Sequence, residues 1–170
     1  MTQIIKNKEL ITSLIKQVIE HEGTGDKIYN YYAHVCRLVP DKVIMVDDFT
    51  ELFYPIYYQK VTDDLNLHNK KCFISISITG AEEQAKEDCE KIQTLFTEYL
   101  TDCEVFSPFE VAPEKNMSDS YYMGRNVEQL MNCDIIIQMN GWENSKLCRI
   151  ENFIADTYNI EKIPIEYLLI

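Results

Sequence analysis

The chain has 170 residues, of which 46% are apolar, enough for a packed domain. No apolar run approaches the roughly 20 residues that span a bilayer, so no membrane partner is expected. The formal net charge of −12 repels phosphate backbones and argues against binding a DNA or RNA polymer, while a pocket rich in amide donors still suits a mononucleotide.

Residues 1–8 lack the apolar core and small-residue cleavage site of a signal peptide, and a cytoplasmic location is expected. Leu10, Ile11, Leu14, Ile15, Val18 and Ile19 then recur with the helical period. Gly23-Thr24-Gly25-Asp26 breaks that helix, and Asp26 is placed to cap a second one through Tyr29, Tyr32, Ala33 and Cys36. Val43-Ile44-Met45-Val46, bounded by Asp47-Asp48, reads as a short strand. Residues 49–65 read as a helix with Pro55 as a start or kink, and 66–70 as a polar connection.

From residue 71 the pattern alternates. Strands are expected over 72–78, 104–107, 134–139 and 163–169, the last with Pro164 near its start. Helices are expected over 81–100, from Ser118 or Asp119 to Asn132, and from Ser145 to about Tyr158, with a loop through 113–117. Glu82 and Glu83 suit the first turn of their helix, where carboxylates meet the positive end of the dipole. Strands alternating with helices imply an α/β, Rossmann-like (flavodoxin-like) fold: a mainly parallel sheet of about five strands, helices on both faces. The division expected is a mostly helical extension over 1–70 and an α/β domain over 71–170.

Six cysteines, Cys36, Cys72, Cys89, Cys103, Cys133 and Cys148, form no C-x-x-C pair and mostly fall in apolar segments, as buried reduced thiols do. His21, His34 and His68 are scattered without zinc-ligand spacing, and no metal or other cofactor is expected.

In an open α/β sheet, ligands bind outside the carboxyl ends of the strands. Three segments are expected there: Ser75-Ile76-Ser77-Ile78-Thr79-Gly80, then Tyr121-Tyr122-Met123-Gly124-Arg125-Asn126, and the stretch 141–151. The last carries a serine at a helix start and Glu151 six residues after it, groups able to hold a polar ligand and attack it.

These residues resemble the nucleoside 2-deoxyribosyltransferase superfamily, which includes the deoxynucleoside 5′-monophosphate N-glycosidases and many small bacterial and phage relatives. Phe73-Ile74-Ser75-Ile76-Ser77-Ile78-Thr79-Gly80 is similar to its first strand, aromatic-x-x-G-[PS]-I-x-G. Tyr121-Tyr122, Asn126 and Asp134 follow its tyrosine-rich helix start, acid and second aspartate. Gly141-Trp142-Glu143-Asn144-Ser145-Lys146-Leu147-Cys148-Arg149-Ile150-Glu151 is similar to its G-W-x-x-S-x-G-A-x-x-E run. The resemblance covers about 71–170.

It implies that Glu151 attacks C1′ of a deoxyribose, that the residue at 126 assists the departing base, and that water or a second base resolves the glycosyl-enzyme. It implies a nucleoside or nucleoside monophosphate as ligand. Ser77, Gly80, Tyr122, Arg125, Trp142 and Ser145 are then the expected contacts: Ser77 and Ser145 toward a phosphate, Arg125 toward a phosphate or an acidic neighbour. Tyr122 and Trp142 are candidates to stack on a base, core or dimer packing being the commoner fate of such rings. Family members assemble as dimers or higher, and the resemblance implies a homodimer or larger homo-oligomer here.

Four positions depart from the pattern. Asn126 stands where the family has an acid, and an amide donates no proton to a leaving base. Phe73 lacks the hydroxyl that orients the nucleophile, Ile76 replaces a glycine, and Leu147-Cys148 replace a small pair. A catalytically degenerate nucleotide-binding or regulatory module on the same fold is therefore the alternative reading. A structural assembly role, suggested by Phe53-Tyr54-Pro55-Ile56-Tyr57-Tyr58, is a third.

Overall fold

The computed structural model describes residues 3–169. They form two compact units, one built on residues up to Asn66 together with Glu166 onward, the other on Leu67–Ile165.

The first unit holds β1 (Gln3–Ile4), α1 (Lys8–Glu22), α2 (Ile28–Leu38), β2 (Lys42–Val43) and α3 (Val46–Asp64), with β1 and β2 paired in parallel. Asn7 caps α1, its side chain accepting from Leu10 N at 3.2 Å. The apolar stripe of α1 is buried at Ile11, Leu14, Ile15, Val18 and Ile19. On α3, Phe49, Phe53 and Tyr57 stack in succession, and Tyr31 of α2 packs on Phe53 and Tyr57. Hydroxyls of these buried rings hold the turn after α1: Tyr31 Oη donates to Gly23 O at 2.8 Å, and Tyr57 Oη accepts from Gly25 N at 3.0 Å. Asp26 caps nothing by itself. Lys27 is the N-cap of α2, and the Asp26 carboxylate accepts from Lys27 N and from Asn30 Nδ2, both at 2.7 Å.

The expected strand over 43–46 is cut short, because Val46 already begins α3. Asp47 and Asp48 in its first turn favour the helix through its dipole and outweigh the β-branched run. Pro55 lies inside α3 on an exposed position, so the Glu51 carbonyl it leaves without a helical donor is on the solvated side.

The second unit is a four-stranded, all-parallel sheet in the order β4-β3-β5-β6, formed by β3 (Lys71–Ser75), β4 (Glu104–Phe106), β5 (Ile135–Gln138) and β6 (Glu161–Pro164). Its helices are α4 (Glu82–Tyr99), α5 (Pro108–Val111), α6 (Asp119–Leu130) and α7 (Lys146–Tyr158). This is the Rossmann-like α/β fold expected. The sheet has four strands rather than about five, the segment at 42–43 pairing elsewhere.

Three segments differ from the sequence-based expectation. Residues 165–167 form a 3-10 turn instead of extending the last strand, since Pro164 has no N–H to carry a ladder on. Residues 108–111 are helical, with Pro108 at the first position and the Glu110 carboxylate accepting from Ser107 N at 3.2 Å. β3 stops at Ser75, three residues short. Among the described residues, no helix is long and apolar enough to cross a membrane.

The core of this unit gathers Phe73 from β3, Leu130 from α6, Ile136 from β5 and Ala155 from α7, with Cys133 and Ile160. Cys72, Cys89, Cys133 and Cys148 are buried. Burial pushes Cys89 up to about 12 and Cys133 to about 11, which keeps both protonated at neutral pH.

Candidate functional site

From β3 the chain crosses outward to β4, then returns over β3 to reach β5 on its other side. The direction of crossover thus reverses between β3 and β5, the place at which sheets of this kind bind ligands outside the carboxyl ends of their strands. Ser75, the last residue of β3, pairs in register with Gln138, the last of β5. Met139 N donates to Ser75 O at 3.0 Å and fixes this corner of backbone. Beyond β5, Gly141 takes a left-handed conformation (φ +79°) that turns the chain into a 3-10 turn, Trp142–Asn144. Ser145 then caps α7, its Oγ accepting from Cys148 N at 3.4 Å.

In β-α-β connections the helices run against the strands, so α6 and α7 bring their N-terminal halves to that edge of the sheet. On each element one step toward that edge exchanges an apolar residue for a polar one. Phe73 is followed two residues on by Ser75, Leu130 is preceded four residues back by Asn126, and Ala155 four residues back by Glu151. Two strand residues rise about 6.6 Å and four helix residues about 6 Å, so the three polar groups share one level above the core.

They meet there. Ser75 Oγ donates to Glu151 Oε2 at 2.6 Å, and Asn126 Nδ2 donates to Glu151 Oε1 at 2.9 Å. All three are buried: Ser75 is 0%, Glu151 2% and Asn126 4% exposed. Burial raises the Glu151 carboxyl above its ordinary 4.5, while the bonds from Ser75 and Asn126 favour its ionised form and hold the rise back. Among the described residues, Asn126 Oδ1 is buried without a hydrogen-bond partner.

Neighbouring polar groups are paired. Asn152 Nδ2 donates to Cys148 O at 2.9 Å, and Gln138 Nε2 donates to Asn152 Oδ1 at 2.6 Å. Burial raises the Cys148 thiol, and the Glu151 carboxylate raises it further. Cys148 is itself buried in the first turn of α7.

The structure brings Glu151 and Asn126 into direct contact and places Ser145 at the start of the same helix. The other candidates have different surroundings. Ser77 is half-buried in the loop after β3, and Gly80 is exposed with φ +78°. Tyr122 Oη donates to Glu114 O at 2.8 Å and accepts from Met117 N at 3.2 Å, tying down the segment before α6. Arg125 is exposed and pairs with Glu128 at 2.7 Å. Trp142 is half-buried. The Asp134 carboxylate accepts from Lys71 N at 2.9 Å and anchors the start of β3.

Ser75 is the residue that reading the sequence missed. Its signal was present: it interrupts a buried apolar strand, on the same face as Phe73. An open hollow of about 400 Å3, lined by Gln93, Phe96, Thr97, Cys103, Val105 and Glu110 among others, shares no residue with this cluster.

Against known proteins, the family described as a domain of unknown function (DUF4406) matches residues 70–163. No curated protein matches the chain.

Proposed function

Since the chain belongs to the DUF4406 family, matched over more than half of its 170 residues, we propose that its second unit breaks or transfers the N-glycosidic bond of a deoxynucleoside or its 5′-monophosphate, with Glu151 as nucleophile. The observation that carries this reading is the Glu151 carboxylate, gripped on both oxygens beside the carboxyl ends of β3 and β5. The resemblance of residues 71–170 to the deoxyribosyltransferase superfamily supports it.

In the first step a Glu151 oxygen forms a bond to C1′ as the C1′–N bond breaks, and the electron pair leaves with the base. Asn126 has no proton to lend, so the base takes one from water. Its Nδ2 steadies the carboxylate, and its free Oδ1 accepts a hydrogen bond from an N–H or O–H of the ligand. In the second step water, or a second base, attacks C1′ and releases the carboxylate, so configuration is retained overall. Attack requires the ionised carboxylate, and burial therefore places activity on the alkaline side of the usual carboxylate range. A homodimer or larger homo-oligomer is part of this proposal, to be read by light scattering.

One alternative is favoured by a specific observation. Glu151 is 2% exposed, and the amide at Asn126 cannot act as an acid, which suits a module that binds a nucleotide without turning it over. Incubation with each deoxynucleoside and 5′-monophosphate, alone and with a second free base, separates the two. Base release or exchange by the protein and not by Glu151→Ala is the expected result. Ligand-dependent thermal stabilisation without turnover establishes the binding module, and silence in both assays overturns the nucleotide reading.

A further inference from the structure

We propose that Ser75 is the positioning residue of this site: its hydroxyl aims one carboxylate oxygen of Glu151 and steadies its charged form. The inference rests on the reading of Glu151 as nucleophile but concerns a residue at a position the family pattern given above leaves unspecified.

Glu151 Oε2 receives the Ser75 hydroxyl at 2.6 Å, in the short range of charge-assisted bonds. Oε1 is held separately by Asn126, so each oxygen has its own donor and the carboxylate plane is fixed. The Ser75 hydroxyl arrives on a rigid mount. Its backbone lies in the β3–β5 ladder at the Gln138 register, its carbonyl is bonded to Met139 N, and its side chain is wholly buried.

No other residue of β3 can take the role. Ile74 faces the opposite side of the sheet, and Phe73, on the same side, lies one level lower among Leu130, Ile136 and Ala155. The level of Glu151 on α7 is the level of residue 75 on β3. A hydroxyl at that point compensates for the phenyl ring at 73.

Packing and positioning predict opposite signs. A serine that merely fills space leaves, when truncated, a small void that eases solvation of Glu151 and makes it ionise more readily. A serine that donates to the carboxylate leaves it less readily ionised. The test is a pH titration of the Glu151 side-chain carboxyl by 13C NMR in the unliganded full chain, its resonance assigned by loss in Glu151→Gln. In Ser75→Ala the midpoint should rise by about one pH unit, a tenfold change in ionisation. Ser75→Thr, which keeps a hydroxyl there, should hold the midpoint near that of the unaltered protein.

An unchanged or lowered midpoint in Ser75→Ala overturns the proposal. Because the titration needs no substrate, it stands even if no base release is found. Where base release is found, Ser75→Ala should lower kcat about tenfold with KM little changed, its acid limb displaced to higher pH. A rise in KM alone overturns the positioning role.

Discussion

Replacing Glu151 by glutamine should make the protein more stable, and more so as pH rises. Glutamine keeps the shape of the side chain and can still accept from Asn126 Nδ2, but carries no charge into a site that is 2% exposed. Taking a carboxylate out of water costs several kcal/mol even after the protein relaxes. The two hydrogen bonds, from Ser75 and Asn126, return about 1.5–3 kcal/mol each. The carboxyl is nonetheless raised above 4.5 with burial as the largest cause, so the balance falls against the charge. Each kcal/mol of residual cost corresponds to about 3 °C in Tm for a chain of this length. Because the folded-state value lies above the unfolded one, the stabilisation contributed by protonated Glu151 is fully present below about pH 4.5 and is lost as pH rises through the folded value. Thermal unfolding followed by circular dichroism from about pH 4.5 to about pH 9 reads this directly. The Tm gap between Glu151→Gln and the parent should be small at the acid end, widen with pH, and level off once Glu151 is ionised in both states. A gap independent of pH, or one that shrinks as pH rises, would refute the claim that the fold carries a strained charge here.

Two further substitutions test the frame around the site and the first unit. Ser145→Ala removes the cap that accepts from Cys148 N and should cost about 1 kcal/mol, lowering Tm by about 3 °C, with Ser145→Thr recovering most of it; equal stability of serine and alanine would leave Ser145 without a capping role. Tyr57→Phe leaves Gly25 N without the hydroxyl it donates to, and should cost about 1 kcal/mol by urea unfolding and speed hydrogen exchange at that amide; unchanged exchange would mean the turn is held by something else.

The second unit was legible because its elements agree at several levels. Ser145 is both a good cap and the residue just before a helical stripe, and Glu151 falls on the inward side of that stripe with Cys148, Asn152 and Ala155. Asn126 likewise lies four residues before buried Leu130. What was not legible depends on contacts distant in sequence. Whether Phe73 or Ser75 stands opposite Glu151 is set by how far α7 is displaced along β3, and no local pattern encodes that displacement. The family likeness directed attention to position 73, where a hydroxyl is missing, and away from position 75, where one is supplied. At 43–46 a β-branched run competed with two aspartates suited to a helix start, and the aspartates prevailed. At 165–169 only two of the apolar residues, Ile165 and Leu168, are buried, and Pro164 stops the ladder before them.

The polar layer itself argues for function over stability. Below it, Phe73, Leu130 and Ala155 form an apolar level that continues without interruption. One step higher, three elements from separate parts of the chain each change to a polar residue, and two of the side chains converge on the carboxylate of the third. A core built only to fold would extend the apolar level, since a buried ionisable group is matched or exceeded in stability by hydrocarbon of the same volume. The layer is also incomplete by its own hydrogen bonding. Each Glu151 oxygen has its donor, while Asn126 Oδ1 has no partner among the described residues, and a buried unpaired acceptor costs about 1–3 kcal/mol. A ligand that donates to Oδ1 recovers that cost on binding. Under the proposed function, that atom favours a ligand bearing an N–H or O–H beside the bond that Glu151 attacks.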